Sequence, residues 1–133
     1  MSRENVGVVR KMYEGFGRAG VDGMLEFMDP DVDHRAIEGA PDDEGVVSGH
    51  DAMRGHLEQW LETFDDLRTE AEELIDTGDQ VIAMLHVTAR MKQSDAEVDM
   101  RFGVVWTLRD GKVVQGREYA TREAALEAVG LRE

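Results

Sequence analysis

The sequence contains no cysteine, so disulfides and thiolate chemistry are excluded and a reducing compartment is the natural setting. No apolar run approaches the roughly 20 residues that a bilayer-crossing helix needs. The start, MSRENVGVVRKMY, lacks the apolar stretch of a signal peptide. With neither address, the cytoplasm is the expected location. Positive charge is also scarce: 15 Lys and Arg stand against 29 Asp and Glu, a formal net charge of −14. Such a field repels phosphate backbones and anionic bilayers, so neither nucleic acid nor membrane is expected as a partner. It favours solubility, and neutral or cationic ligands over anions. HExxH and similar carboxylate–histidine spacings are missing, as are a glycine-rich phosphate loop after a strand and GxSxG. Neither a metal nor a cofactor is expected.

What is present suits a soluble globular domain. The chain has 133 residues, 41% hydrophobic and 33% charged, enough for a single domain over 1–133 with a real core. The eight methionines read as adaptable core filling. Val6, Val9, Tyr13 and Phe16 recur at helical spacing, and the pattern ends at Ala19-Gly20. Met24, Leu25, Phe27 and Met28 suggest a short second helix, stopped by Asp29-Pro30. DVDHRAI then alternates as a strand, with Val32, His34 and Ala36 on one face. The acidic, Gly-rich EGAPDDEGVVSG is a loop, either solvated or a lid over a cavity.

Ser48 and Asp51 fit a capping box that opens a helix with Met53, His56, Leu57, Trp60, Leu61 and Phe64 on one side. The period then changes to two. Strands are expected over 67–75, 81–91, 98–108 and 113–120, with DTGD and QSDA as turns. Thr121 caps a last helix over 122–129, which stops at Gly130. Helices, a strand, a helix and then a run of antiparallel strands make an α+β fold.

The last hairpin decides which charge faces inward. On the strand before it, Val98, Met100, Phe102, Val104, Trp106 and Leu108 must face the core. A two-residue Asp110-Gly111 turn would pair Arg109 with Lys112 and point Arg117 inward. A three-residue Arg109-Asp110-Gly111 loop would pair Leu108 with Lys112, set Phe102 opposite Glu118 and point Glu118 inward. The second is preferred, because a buried glutamate can be neutralised and an arginine cannot. Glu118 would then look into an apolar interior between Gly116 and Ala120, whose small side chains leave room for a ligand. Carboxyls in such pockets are easier to protonate, which suits proton transfer.

With these elements in order, the chain resembles the SnoaL-like polyketide cyclase branch of the NTF2-like superfamily. The resembling stretches are VRKMYEGFGRAGVDGMLEFMDPDVDHRA, SGHDAMRGHLEQW, DTGDQVIA and VVWTLRDGKVVQGREYATREAALEAVGL. The resemblance implies a cone-shaped barrel: a curved, mainly antiparallel sheet wrapped around N-terminal helices with an internal pocket. It also implies a homodimer through the outer sheet face, where an exposed Val105, Val113 and Tyr119 set would suit the contact. Compared with ketosteroid isomerases, Tyr13 stands where the oxyanion tyrosine lies and His34 where the aspartate base lies. Val104 replaces their second acid, a departure from that activity. Compared with limonene epoxide hydrolase, Glu118 in REYA resembles a catalytic acid, but Arg90-Met91-Lys92 lacks the aspartate of the expected pair. In the cyclases an acid on the last strands serves as the acid/base group, a role open to Glu118.

The expected catalytic set is therefore Glu118 as proton carrier, His34 as a second acid/base near neutrality, and Tyr13 as a donor to a developing oxyanion. Trp60, Phe102, Val104, Trp106 and Gly116 are expected around the pocket, favouring a small apolar or ring-bearing ligand. His86 falls on the outer face of its strand, while His50 and His56 flank the start and buried side of their helix. The expected function is cofactor-free acid–base chemistry of cyclase, isomerase or dehydratase type. A non-catalytic ligand-binding or dimeric interaction module is the alternative.

Overall fold

The structure, a computed structural model, describes residues 2–131. Helix α1 (Ser2–Leu25) is followed by strand β1 (Met28–Arg35), a two-residue strand β2 (Val47–Ser48) and helix α2 (Gly49–Thr63). Four long strands follow: β3 (Phe64–Asp76), β4 (Gln80–Met91), β5 (Glu97–Arg109) and β6 (Lys112–Tyr119), before helix α3 (Arg122–Ala128). One sheet takes all six strands in the order β2-β1-β6-β5-β4-β3. Every neighbouring pair is antiparallel except β1 with β6, which run parallel. The α+β expectation holds.

α1 is kinked at Gly20, whose φ of 66° and ψ of −143° only glycine adopts readily. The kink falls where the sequence pattern breaks. The second expected helix is shorter than expected: helix ends at Leu25, and Phe27 and Met28 belong to the sheet approach. The Phe27 carbonyl accepts a hydrogen bond from Val113 N at 2.9 Å, so pairing with β6 takes the chain before Asp29-Pro30 is reached. Pro30 lies in β1, in the stretch between Met28 and Asp33 where the ladder to β6 slips, so its missing N–H disrupts nothing. Ser48 stands at the N-cap of α2, but its side chain makes no capping bond; its backbone pairs with Asp33. Thr121 does cap α3, accepting from Ala124 N at 3.1 Å. Gly130, at φ 79°, ends it with Leu131 N bonded to the Leu126 carbonyl at 2.9 Å.

The sheet has two differently covered faces. On one, Val81, Ala83, Leu85 and Val87 of β4 and Phe102, Val104, Trp106 and Leu108 of β5 pack against Val9, Met12, Met24 and Leu25 of α1 and Met53 and Leu57 of α2. On the other, Ile82 and Val105 are covered by Ala125 and Leu126 of α3. The alternation expected for β4 and β5 is therefore present, but both faces are buried where α3 lies. This corrects the exposed set expected for a dimer contact: Val105 is 5% exposed under α3, Tyr119 packs beside it, and Val113 is fully buried in the main core.

The last hairpin combines the two registers weighed from sequence. The turn is the two-residue form, with Arg109 paired to Lys112 and Asp110 and Gly111 both at positive φ, 53° and 77°. Leu108 pairs with Val113, but Thr107 pairs with Gln115, so Val114 is an extra residue on β6. This bulge shifts the ladder by one and restores the inward parity of Glu118. Glu118 lies opposite Val104 rather than Phe102, and Arg117 lies opposite Val105 on the outer parity. There its guanidinium Nη2 meets Asp33 Oδ1 at 2.7 Å.

Candidate functional site

A single row across three strands builds the floor of the site. Gly116 of β6 is paired with His34 of β1 on one side and with Trp106 of β5 on the other. A side chain at 116 would collide with both neighbours: a Cβ there would fall against His34 Nδ1 and Trp106 Cζ3 and 2.8 Å from Trp106 Cε3. With no side chain between them, the two rings meet at 5.4 Å between centroids and 28° between planes. Gly116 is thus a platform for these rings and does not line the pocket. The room it was expected to leave for a ligand is filled by His34 and Trp106. Ala120 is exposed beyond the end of β6.

One step along β6, Glu118 reaches back to His34: Nε2 and Oε2 are 2.8 Å apart, with the side chains only 3% and 9% exposed. His34 Nδ1 is buried without a hydrogen-bond partner. A buried bare lone pair is tolerated better than an orphaned buried N–H, so the arrangement fits a neutral His34 whose Nε2–H donates to Glu118. His56, on α2, lies beside the pair with its ring centroid 5.3 Å from that of His34, and is 4% exposed. Burial pushes its pKa down. His56 is therefore held neutral, with a lone pair available.

Tyr13 enters from α1. Its hydroxyl oxygen accepts from Trp106 Nε1 at 2.8 Å, which leaves its own hydrogen free to donate. Burial first, and nearby Glu118 after it, hold the phenol far above its ordinary pKa, against the opposing pull of the Trp106 bond. It remains a donor throughout the working pH range. Tyr13, His34, His56 and Glu118 all line one pocket, whose other walls include Phe16, Met24, Met53, Leu57, Leu85 and Val87. The expected Trp60, Phe102, Val104 and Trp106 also line it. Trp60, Phe102 and Glu118 additionally border an outer hollow with Ile37, Pro41 and Met100.

The acidic loop is tied down at this outer hollow. Asp42 Oδ2 accepts from Trp60 Nε1 at 3.1 Å. Asp43 accepts from Arg35 Nη2 at 3.0 Å and from the backbone of Gly39 and Gly45, both at 2.9 Å. His50 bonds the Met28 carbonyl at 3.0 Å and takes no part in the pocket. His86 lies outside, 2.8 Å from Asp99.

The structure thus brings Glu118, His34 and Tyr13 into one pocket and adds His56. The sequence placed His56 on the buried side of its helix but gave no reason to join it to a strand 22 residues earlier. These four groups comprise one carboxyl, two imidazoles and a phenol in a pocket whose other walls are apolar but for Thr69. Among the described residues, His34, His56 and Glu118 also form a group able to hold a metal ion, one donor atom from each lying within 4.8 Å of the others.

Helices α1 and α2 on one face of a mainly antiparallel sheet, α3 on the other, and such a pocket between the sheet and the first two define an α+β domain of the NTF2-like fold. The chain belongs to the SnoaL-like domain family, which matches residues 9–116. A candidate SnoaL-like polyketide cyclase from Jannaschia sp. CCS1 is 22% identical, with a TM-score of 0.79 over 99% of this chain and 95% of that one. TerC, crystallised with polyporic acid, is 24% identical, with a TM-score of 0.78 over 95% and 98%. An NTF2-like protein of unknown function from Burkholderia pseudomallei K96243 is 20% identical, with a TM-score of 0.79 over 96% and 98%. At these identities the likeness is one of fold. No curated protein matches the chain. No helix among the described residues is long and apolar enough to cross a membrane.

Proposed function

We propose that this protein is an acid–base enzyme acting on a small, largely apolar carbonyl or ring compound, by a chemistry that needs no cofactor. The buried His34–Glu118 hydrogen bond, opening onto an apolar pocket that also holds a phenol donor, carries this reading. Glu118 takes a proton from the carbon beside the carbonyl, and the C–H electron pair becomes an enolate. Tyr13 donates its O–H to the developing oxyanion, a bond that strengthens as charge appears there. His34 donates its Nε2–H to Oε2 of Glu118 and so holds the carboxylate in place. Aldol cyclisation, isomerisation and dehydration can all begin with this step. The mainly apolar walls favour a ring-bearing ligand, and TerC, of the same fold, was crystallised with a small molecule, polyporic acid.

The test is deuterium uptake. The protein is incubated in D2O with an apolar ketone such as 2-tetralone, and label at the α-carbon is followed by mass spectrometry. Wild type should exchange faster than buffer, and Glu118→Gln should lose about 10²–10⁴-fold of that acceleration. A ketone that binds but never exchanges would show a binding module instead.

A further inference from the structure

We propose that His34, His56 and Glu118 form a binding site for a divalent first-row transition metal ion such as Zn2+ or Co2+, with open coordination positions facing the pocket. The inference goes beyond the acid–base reading and is read without any substrate, so either can fail alone.

Three observations carry it. The donor set is chemically apt: two imidazoles and one carboxylate are the ligands that Zn2+ and its neighbours prefer among nitrogen and oxygen donors. The set is assembled by tertiary structure, because β1, α2 and β6 each supply one member. All three residues are also buried or nearly so, at 2% for His34, 4% for His56 and 9% for the Glu118 side chain, unlike a chance cluster on an acidic surface.

The geometry needs little adjustment. Metal–ligand bonds of about 2.0–2.2 Å place tetrahedral donors roughly 3.3–3.5 Å apart. One donor atom from each of the three residues lies within 4.8 Å of the others, and His34 Nε2 and Glu118 Oε2 are 2.8 Å apart. Side-chain adjustments that widen the His34–Glu118 contact and draw the three donors to that spacing close the set around an ion. Three protein ligands leave at least one position open, the pattern of catalytic rather than structural sites. Tyr13 lines the same pocket and has an O–H left to donate.

Two features limit the affinity. Coordination through His34 Nε2 moves the ring proton to Nδ1, which rests against Gly116 and has no acceptor. Metal-bound histidines usually have such a second partner. The ion also replaces the His34–Glu118 hydrogen bond, so metal occupancy and proton transfer by Glu118 exclude each other. Binding should therefore be weaker than in a closed structural zinc site, and the metal should inhibit the acid–base reaction.

The test titrates the metal-free protein with Co2+ up to about 1 mM, a range set by the weakness just argued for a site lacking its outer partner. Visible d–d absorption and the melting temperature are recorded, and Zn2+ is then added as competitor. The expected result is one ion per chain, an absorption band that Zn2+ abolishes, and a melting temperature that rises with metal concentration. His56→Gln and Glu118→Gln should each weaken binding by at least about tenfold, since even loss of an outer partner costs about 10–100-fold. His86→Ala, which removes the exposed His86–Asp99 pair, should change nothing. In wild type, the ring protons of His34 and His56 should show paramagnetic shifts with Co2+, a readout independent of how the variants fold. Absence of any band or shift at the highest concentration would overturn the proposal. So would binding that is undiminished in His56→Gln, or that disappears in His86→Ala.

Discussion

Replacing Gly116 by alanine adds one methyl group and tests whether the absent side chain is what holds the site together. The position is not one of the positive-φ glycines, so alanine meets no backbone strain there. The added Cβ would fall against His34 Nδ1 and Trp106 Cζ3, and 2.8 Å from Trp106 Cε3, where ordinary contacts exceed 3.4 Å. Neither obstacle is a flexible chain end. Trp106 is 1% exposed and bonded to Tyr13, and His34 is 2% exposed and bonded to Glu118. Overpacking of this kind costs about 1–3 kcal/mol. Alanine recovers about 0.4–1 kcal/mol by stiffening the unfolded chain. With two rigid rings in the way, the upper part of the first range applies, and the net loss should be about 1–2.5 kcal/mol. For a chain of this size that lowers the melting temperature by about 4–10 °C. The cheaper response is for His34 to tilt away, which breaks its bond to Glu118, so ketone exchange should fall as well. Gly103→Ala is the control on the other face. There the Cβ would meet Met84 Sδ at 3.2 Å and Ala125 Cβ at 3.1 Å, and the methionine can yield. Melting curves, exchange rates and a crystal structure of Gly116→Ala check the reasoning. A variant as stable as wild type with the 2.8 Å His34–Glu118 contact intact would refute it.

Tyr13→Phe leaves the buried Trp106 N–H without its acceptor, which should cost about 1–3 kcal/mol in urea unfolding, with little change in slope. The same phenol has its folded pKa raised above the ordinary 10.0, so its contribution to stability is complete below pH 10 and declines as pH rises toward the folded value. Absorbance titration of folded protein to pH 11 should therefore show equal tyrosinate in wild type and Tyr13→Phe. Asp43 is held well below its ordinary 3.8, first by Arg35 and then by the backbone of Gly39 and Gly45. Its contribution is present above that ordinary value and lost as pH falls through the lower folded one. Asp43→Asn should thus be less stable than wild type at pH 7, with the difference narrowing on titration below pH 3.8, measured by thermal melts across pH.

The sequence revealed what local pattern controls. Alternation in β4 and β5 separated the faces correctly because one face carries nearly all the large apolar side chains, and Val81, Ala83, Leu85 and Val87 indeed pack into the main core. The Gly20 break and the Thr121 cap are also local, and both appear where the pattern put them. Alternation failed where a second layer intervenes. Val105 and Tyr119 looked free because the sequence does not say which face α3 will cover. Phe27 and Met28 have helical spacing, but a parallel ladder to β6, about 85 residues away, takes them into the sheet.

The inward parity of Glu118 was reached from sequence by a route the structure replaces. In a regular ladder an odd loop points Glu118 inward and an even one buries Arg117, which is why the sequence favours the odd loop. The chain instead keeps the even I′ turn that Asp110-Gly111 favours and inserts Val114 as a bulge two residues into β6. Both solutions satisfy the same constraint, that a guanidinium cannot give up its charge inside. Energetics therefore fixed the parity, while geometry, which the sequence leaves open, chose the device. The same division explains the site. Glu118 could be singled out because an inward acid on a strand stands out against its apolar neighbours. His56 could not, since its importance lies only in its distance from His34, a contact between α2 and β1 that no spacing encodes. Nor could the use of Gly116, which matters because two rings from different strands need the same space. A charge that breaks a pattern is visible in sequence, whereas the neutral groups that complete the site are brought together only by the fold.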